Sequence, residues 1–183
     1  NAIKRLVIPI ASSSSSPAVS RVIRKMFTFK QYEDHGSKAL NRTARWVSHT
    51  VRDILEEMTP GSMRYLKWAS EMASAAIEDR KGLRWTSPSG LPVLQYTWRR
   101  DYRKHATRAL PANFVQSIDA ALLEMVVNDA GAPMATAHDC YGVHVGSLER
   151  LESAIGKAYT DVFSNDLLLK LHTELASQMD DPG

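Results

Sequence analysis

The chain predicts a helix-rich α+β fold, and two observations carry that expectation. Apolar residues recur at three- and four-residue spacing over 42–58, 112–129 and 147–163, the period of amphipathic helices. Two shorter apolar runs, one near 83–96 and one around Asp139, are broken by turn residues in the manner of β-hairpins. No internal repeat is evident.

Taken in order, residues 17–30 form a basic segment in which Arg21, Arg24, Lys25 and Lys30 are interleaved with Val19, Val22, Ile23, Met26 and Phe27. The 42–58 helix is expected to turn Val47, Val51, Ile54, Leu55 and Met58 inward. Pro60-Gly61 should end it, and Ser62 is placed to cap a further helix reaching about Asp79. Leu83–Trp85 and Leu91–Tyr96 read as strands joined around Ser87-Pro88-Ser89-Gly90. The 112–129 helix presents Phe114, Ile118, Leu122, Met125 and Val126 as its apolar stripe. After the hairpin around Asp139 comes a helix from Ser147 to Phe163, with Leu148, Leu151, Ile155 and Val162 inward, and a last helix near 165–177.

Composition narrows the class. The 183 residues are 44% apolar and 23% charged, which is globular in character rather than disordered. No unbroken apolar run approaches the roughly 18 residues of a membrane span, so no membrane partner is expected. No signal peptide is apparent, although the chain opens abruptly within what reads as a helix. The single cysteine, Cys140, excludes an internal disulfide, fits a reducing compartment and reads as a small buried residue. The net charge of +3 hides a division. Residues 1–110 hold 20 Lys and Arg against 9 Asp and Glu, whereas residues 111–183 hold 3 against 11. The asymmetry is that of a basic face for nucleic acid beside an acidic part, or of two ordinary solvated surfaces.

The most informative stretch is Ala137-His138-Asp139-Cys140-Tyr141-Gly142-Val143-His144, which reads as strand, tight turn, strand. A carboxylate at a hairpin tip suits Mg²⁺, a hard cation that takes oxygen ligands and keeps room for phosphate. The alternative is a turn aspartate that satisfies backbone amides. Zinc is disfavoured, since the histidines at 35, 49, 105, 138, 144 and 172 form no ligand-spaced cluster with Cys140. No Gly-x-Ser-x-Gly nucleophile elbow occurs.

His138-Asp139-Cys140-Tyr141-Gly142 resembles motif C of the single-subunit RNA polymerases of the bacteriophage and mitochondrial type. Pro111-Ala112-Asn113-Phe114-Val115-Gln116-Ser117-Ile118-Asp119 resembles the helix segment that precedes motif C there. Trp85-Thr86-Ser87-Pro88-Ser89-Gly90-Leu91-Pro92-Val93 resembles a further stretch of the same enzymes, and Lys4-Arg5-Leu6-Val7 sits where the motif B helix carries its lysine. The four landmarks occur in the family's order.

The resemblance implies a fingers-like helical region over 1–82, with a motif B remnant at 1–13, and a palm-like region over 83–183 carrying the motif C hairpin. It implies template-directed nucleotidyl transfer with two Mg²⁺ ions roughly 3.5–4 Å apart clamping the attacking and leaving oxygens. Asp139 matches the metal-binding aspartate of motif C. Nothing matches the aspartate of motif A, so the chain is expected to be inactive without an upstream segment or subunit that supplies it. Lys4 would neutralise triphosphate charge. Where the family has Tyr-Gly after that lysine, this chain has Ser12 and Ser13 within a five-serine run to Ser16, so sugar discrimination by tyrosine does not carry over.

His138 would contact the primer end or backbone beside the metal. Gln116 stands where these RNA polymerases usually have histidine and where family A DNA polymerases tend to have glutamine. Either side chain can donate to minor-groove acceptors that all base pairs share. Arg21, Arg24 and Lys25, and the Trp98–His105 segment with Arg99 and Arg100, would neutralise phosphates, with aromatic faces available for stacking. DNA template, nascent RNA and nucleoside triphosphates are the implied partners, in a host cytoplasm or a mitochondrion. The rival expectations are a non-catalytic nucleic-acid-binding module on the polymerase fold and a family A DNA polymerase.

Overall fold

The computed structural model describes residues 16–77, 81–98 and 100–179. Between Ser70 and Glu71 the chain divides into two compact units.

The first unit is built on α1 (Ser16–Arg24) and α2 (Phe29–Met58). Val19, Ile23 and Ala44 form its buried core, flanked by Phe27, Val47, Val51 and Leu55. Thr28 starts α2 with a capping box: its hydroxyl accepts from the Gln31 amide at 3.3 Å, and its own amide donates to the Gln31 side chain at 2.8 Å. Two orphan donors are thereby satisfied. This cap explains why the helix begins thirteen residues before the expected Arg42, in a stretch without apolar periodicity. Gly36 breaks the run with φ 72° and ψ 152°, a left-handed value that glycine adopts at little cost, so α2 is two helical pieces meeting at a kink.

Ile54 and Met58, expected inward, are 47% and 73% exposed. The nine residues of α1 reach about 13.5 Å and cannot cover the far end of α2. The third helix, α3 (Pro60–Ala76), follows after Thr59 alone. Proline at its first position loses no bond, because that amide would be unpaired in any case, so the helix starts two residues before the expected Ser62 cap.

The second unit opens with a hairpin of β1 (Leu83–Thr86) and β2 (Pro92–Gln95), in register Leu83 to Gln95 and Thr86 to Pro92. Gly82 precedes it with φ 76°, where a Cβ would stand 2.7 Å from the Gln95 carbonyl oxygen and no side chain fits. The long helix α4 (Tyr102–Asp129) contains a buried Pro111. It begins ten residues before the expected 112, because burial of Ala106, Leu110, Pro111 and Phe114 offsets the roughly 3 kcal/mol that an internal proline costs a helix. Among the described residues α4 alone has the length and hydropathy to cross a membrane; here it packs on β2 and on α5 (Leu148–Phe163).

The second hairpin, β3 (Met134–Ala137) and β4 (Cys140–Val143), lies between α4 and α5 in the chain and leads through a 3₁₀ turn at Val145–Ser147. Leu122, Val126 and Ala130 of the α4 end pack with Leu151, Ala154, Ala158 and Val162 of α5, and Met134, Tyr141 and Val143 rest on that cluster. Small residues at 154 and 158 let the two helices approach, while Leu148, expected inward, is 50% exposed. The last helix, α6 (Leu167–Ala176), is capped by Asp166, whose carboxylate accepts from the Leu169 amide at 3.0 Å.

Candidate functional site

The site is built on the second hairpin. Met134 pairs with Val143, Ala135 with Gly142, Thr136 with Tyr141 and Ala137 with Cys140, which leaves His138 and Asp139 as a two-residue loop. Such loops match the twist of their strands when backbone φ is positive at the first loop position, and glycine is the usual occupant. Here His138 takes it, with φ 56°, the one described residue other than glycine with positive φ. A left-handed side-chain-bearing residue costs on the order of 1 kcal/mol, and such strain tends to gather at functional positions.

The strain places the Asp139 carboxylate at the hairpin tip, exposed to solvent. Its contact is the Cys140 thiol, which donates to Oδ1 at 3.7 Å. Among the described residues no cation pairs with it. Cys140, expected to be buried, is exposed. Alternation along β4 turns Tyr141 and Val143 toward the helical cluster and leaves Cys140 on the open side.

Tyr141 reports the local field. Its hydroxyl is held above the usual tyrosine range first by burial, then by the negative charge of Tyr159, Asp139 and Asp119. Asp119, on the exposed side of α4, therefore lies within electrostatic reach of the tyrosine that neighbours Asp139. Among the described residues no cluster of three or more His, Cys, Asp or Glu side chains could hold a metal ion by itself. Mg²⁺ does not require one: it is commonly bound by one or two carboxylates and keeps the rest of its shell for water and substrate phosphate. Asp139 fits that role.

The structure joins two segments that sequence could only place in order. The Trp85 indole N–H donates to Ser117 Oγ at 3.0 Å, and the Ser117 hydroxyl donates to the Phe114 carbonyl at 2.7 Å. Trp85 meets Phe114 edge to face, with centroids 6.4 Å apart. Asn113 donates to the Gln95 side-chain oxygen at 2.9 Å, and Gln95 donates in turn to the Ala106 carbonyl. The Trp85–Val93 and Pro111–Asp119 segments thus form one braced body. With Phe114 and Ser117 turned inward, Gln116 is left exposed on α4.

The remaining candidates are more dispersed. Arg100 is exposed just ahead of α4, and near it Tyr96 and Trp98 stand edge to face at 4.9 Å, with Trp98 90% exposed. Arg21 and Lys25 are exposed on the first unit, where Arg24 donates to the Asn41 side-chain oxygen at 3.2 Å. Lys4, the motif B remnant at 1–13 and Arg99 lie outside the described residues.

Residues 97–182 match the family described as DNA-dependent RNA polymerase. A DNA-directed RNA polymerase 2A from Nicotiana tabacum is 26% identical over 151 residues, covering 70% of this chain and 46% of that relative. A mitochondrial DNA-directed RNA polymerase 1 from Nicotiana sylvestris is 23% identical, covering 70% of this chain and 15% of the relative. A chloroplastic/mitochondrial DNA-directed RNA polymerase 2 from Arabidopsis thaliana is 23% identical over 166 residues, covering 78% of this chain and 16% of the relative. The chain spans less than half the length of these relatives. The chain is thus similar to DNA-directed RNA polymerases, most directly over residues 97–182.

Proposed function

We propose that the chain supplies part of a DNA-directed RNA polymerase: fingers-like helices over 1–82 and a palm-like portion over 83–183 that presents the motif C aspartate. The observation that carries this reading is the exposed Asp139 carboxylate at a strained two-residue hairpin tip, with no cation paired to it among the described residues. Asp139 would hold Mg²⁺ together with an aspartate from an upstream polypeptide. Bound there, the two ions would neutralise charge that develops on the reacting phosphate oxygens.

The chain's own groups act around that point. His138, fixed by the turn, would contact the primer end. Gln116 would donate to the minor groove of the new base pair, testing its geometry without reading sequence. Lys4 would neutralise triphosphate charge, and Arg21, Arg24, Lys25, Arg99 and Arg100 would hold template and transcript phosphates with salt-sensitive affinity. The names of the relatives point to mitochondria or chloroplasts as the compartment to examine first.

Primed extension in Mg²⁺ by this chain joined to its upstream polypeptide, with ribonucleotides and deoxyribonucleotides supplied separately, tests the reading. Ribonucleotide addition is expected. Deoxyribonucleotide addition alone would favour the DNA polymerase that Gln116 allows. Addition of neither, with salt-sensitive template binding, would make the chain a binding module.

A further inference from the structure

The second unit leaves a face of α5 uncovered beside the Asp139 hairpin. This helix buries Leu151, Ala154, Ala158 and Val162 in the cluster it forms with the α4 end. A second apolar stripe, Leu148, Ile155, Tyr159 and Phe163, follows the helical period along the adjoining face. Leu148 and Tyr159 are 50% exposed and Phe163 is 58% exposed, with the two rings stacked at 5.8 Å between centroids. Gly156 lies on the same side in mid-helix, where a Cβ would meet nothing within 4 Å. Glycine in a helix interior lowers stability relative to alanine, and its use there is to let another backbone approach closely.

Charge, size and position narrow what covers it. Exposed Glu149 and Glu152 border the stripe, whereas Arg150 and Lys157 fall on the opposite side by period, and Lys157 is held by Asp129 at 2.8 Å. The complement is an apolar stripe flanked by Lys or Arg. Two half-exposed rings and two aliphatic side chains offer roughly 300–400 Å², well short of the roughly 800 Å² per partner of a stable interface. A second copy would be held too weakly, whereas a segment of the same polypeptide acts at high effective concentration. Tyr159 also lies within electrostatic reach of Tyr141, two residues from Asp139. That is where the upstream polypeptide would have to come to supply its aspartate. Relatives of which this chain covers 46% and 15% have length enough for such a segment.

We propose that the outer face of α5 is the docking site for an amphipathic helix of the upstream polypeptide. That helix lays apolar side chains along Leu148, Tyr159 and Phe163, crosses α5 at Gly156 and turns a basic flank to Glu149 and Glu152. The docking rests on the polymerase reading for its partner.

Hydrogen–deuterium exchange over residues 148–163 tests it, comparing the 183-residue chain alone with the same chain joined to its upstream polypeptide. Those amides should exchange at least about tenfold more slowly in the joined form. Gly156→Leu should abolish the slowing, because its side chain fills the crossing. The same change should raise the melting temperature of the chain alone by a few degrees, through better helix propensity and an open site for the side chain. Tyr159→Gln/Phe163→Gln should also reduce the slowing, by removing apolar contact. Equal exchange in the two parent forms, or slowing that survives either variant, would overturn the proposal. Dimerisation of the chain alone in sedimentation equilibrium, broken by Gly156→Leu, would assign the face to a second copy and overturn the upstream occupant. Primed nucleotide addition by the same joined polypeptide separates the two readings. Protection without addition removes the polymerase reading and leaves the docking, whereas addition without protection does the opposite.

Discussion

The two hairpins of the second unit are built alike and treated in opposite ways. Each has four-residue antiparallel strands. In the first, Leu83 and Trp85 are buried, and the outer edge of β1 is occupied by side chains from the C-terminal helical region. Glu174 accepts from the Thr86 amide at 2.8 Å, while the Gln178 carboxamide accepts from the Arg84 amide at 3.0 Å and donates to its carbonyl at 2.7 Å, so it stands in for a strand. In the second hairpin β3 is mostly exposed, Tyr141 and Val143 anchor the inner face, and the tip carries strain and an exposed carboxylate. The first hairpin holds the fold together, and the second presents a group. Stability and chemistry are therefore expected to separate cleanly between them.

Mutation can sharpen or break that separation. The largest effect should come from Asp139→Ala, which should lower nucleotide addition by the joined polypeptide about a hundredfold or more, because a metal supplies several kcal/mol of charge stabilisation. Its thermal melt should match the parent, since among the described residues the carboxylate makes one thiol contact. Trp85→Ala should do the reverse, costing about 3–5 kcal/mol in chemical denaturation by opening a cavity beside Phe114. Ser117→Ala should cost about 1–3 kcal/mol, since the buried indole N–H loses its acceptor. The smallest change is His138→Gly, expected to stabilise the chain by about 1 kcal/mol through relief of the left-handed strain, at the expense of the proposed primer-end role. A His138→Gly variant that melts earlier than the parent would show that the tip is not strained.

How much of this was legible in the sequence follows from the range of each interaction. The Asp139 hairpin was readable because its signals are adjacent: alternation, a two-residue loop and a local motif. The α5 helix was readable from its apolar period. The early start of α4 was hidden by Pro111, a residue that argues locally against helix and is overruled only by burial against other elements. The far end of α2 was misjudged because periodicity shows that a face is apolar, not whether a neighbour is long enough to cover it. The Glu174 and Gln178 braces span 88 and 94 residues and left no local trace. Asp119 was visible only as part of a resemblance, and its closeness to the Tyr141 field required the packing of α4 beside β4.

The central claim is that Asp139 acts on a reaction and not on the fold. Primed nucleotide addition by the joined polypeptide, compared between the parent and Asp139→Ala at equal template occupancy, tests it most directly. The account predicts loss of addition with template affinity and melting temperature unchanged. Addition by the variant within about tenfold of the parent would contradict it, since removal of a metal-binding carboxylate should cost more than that.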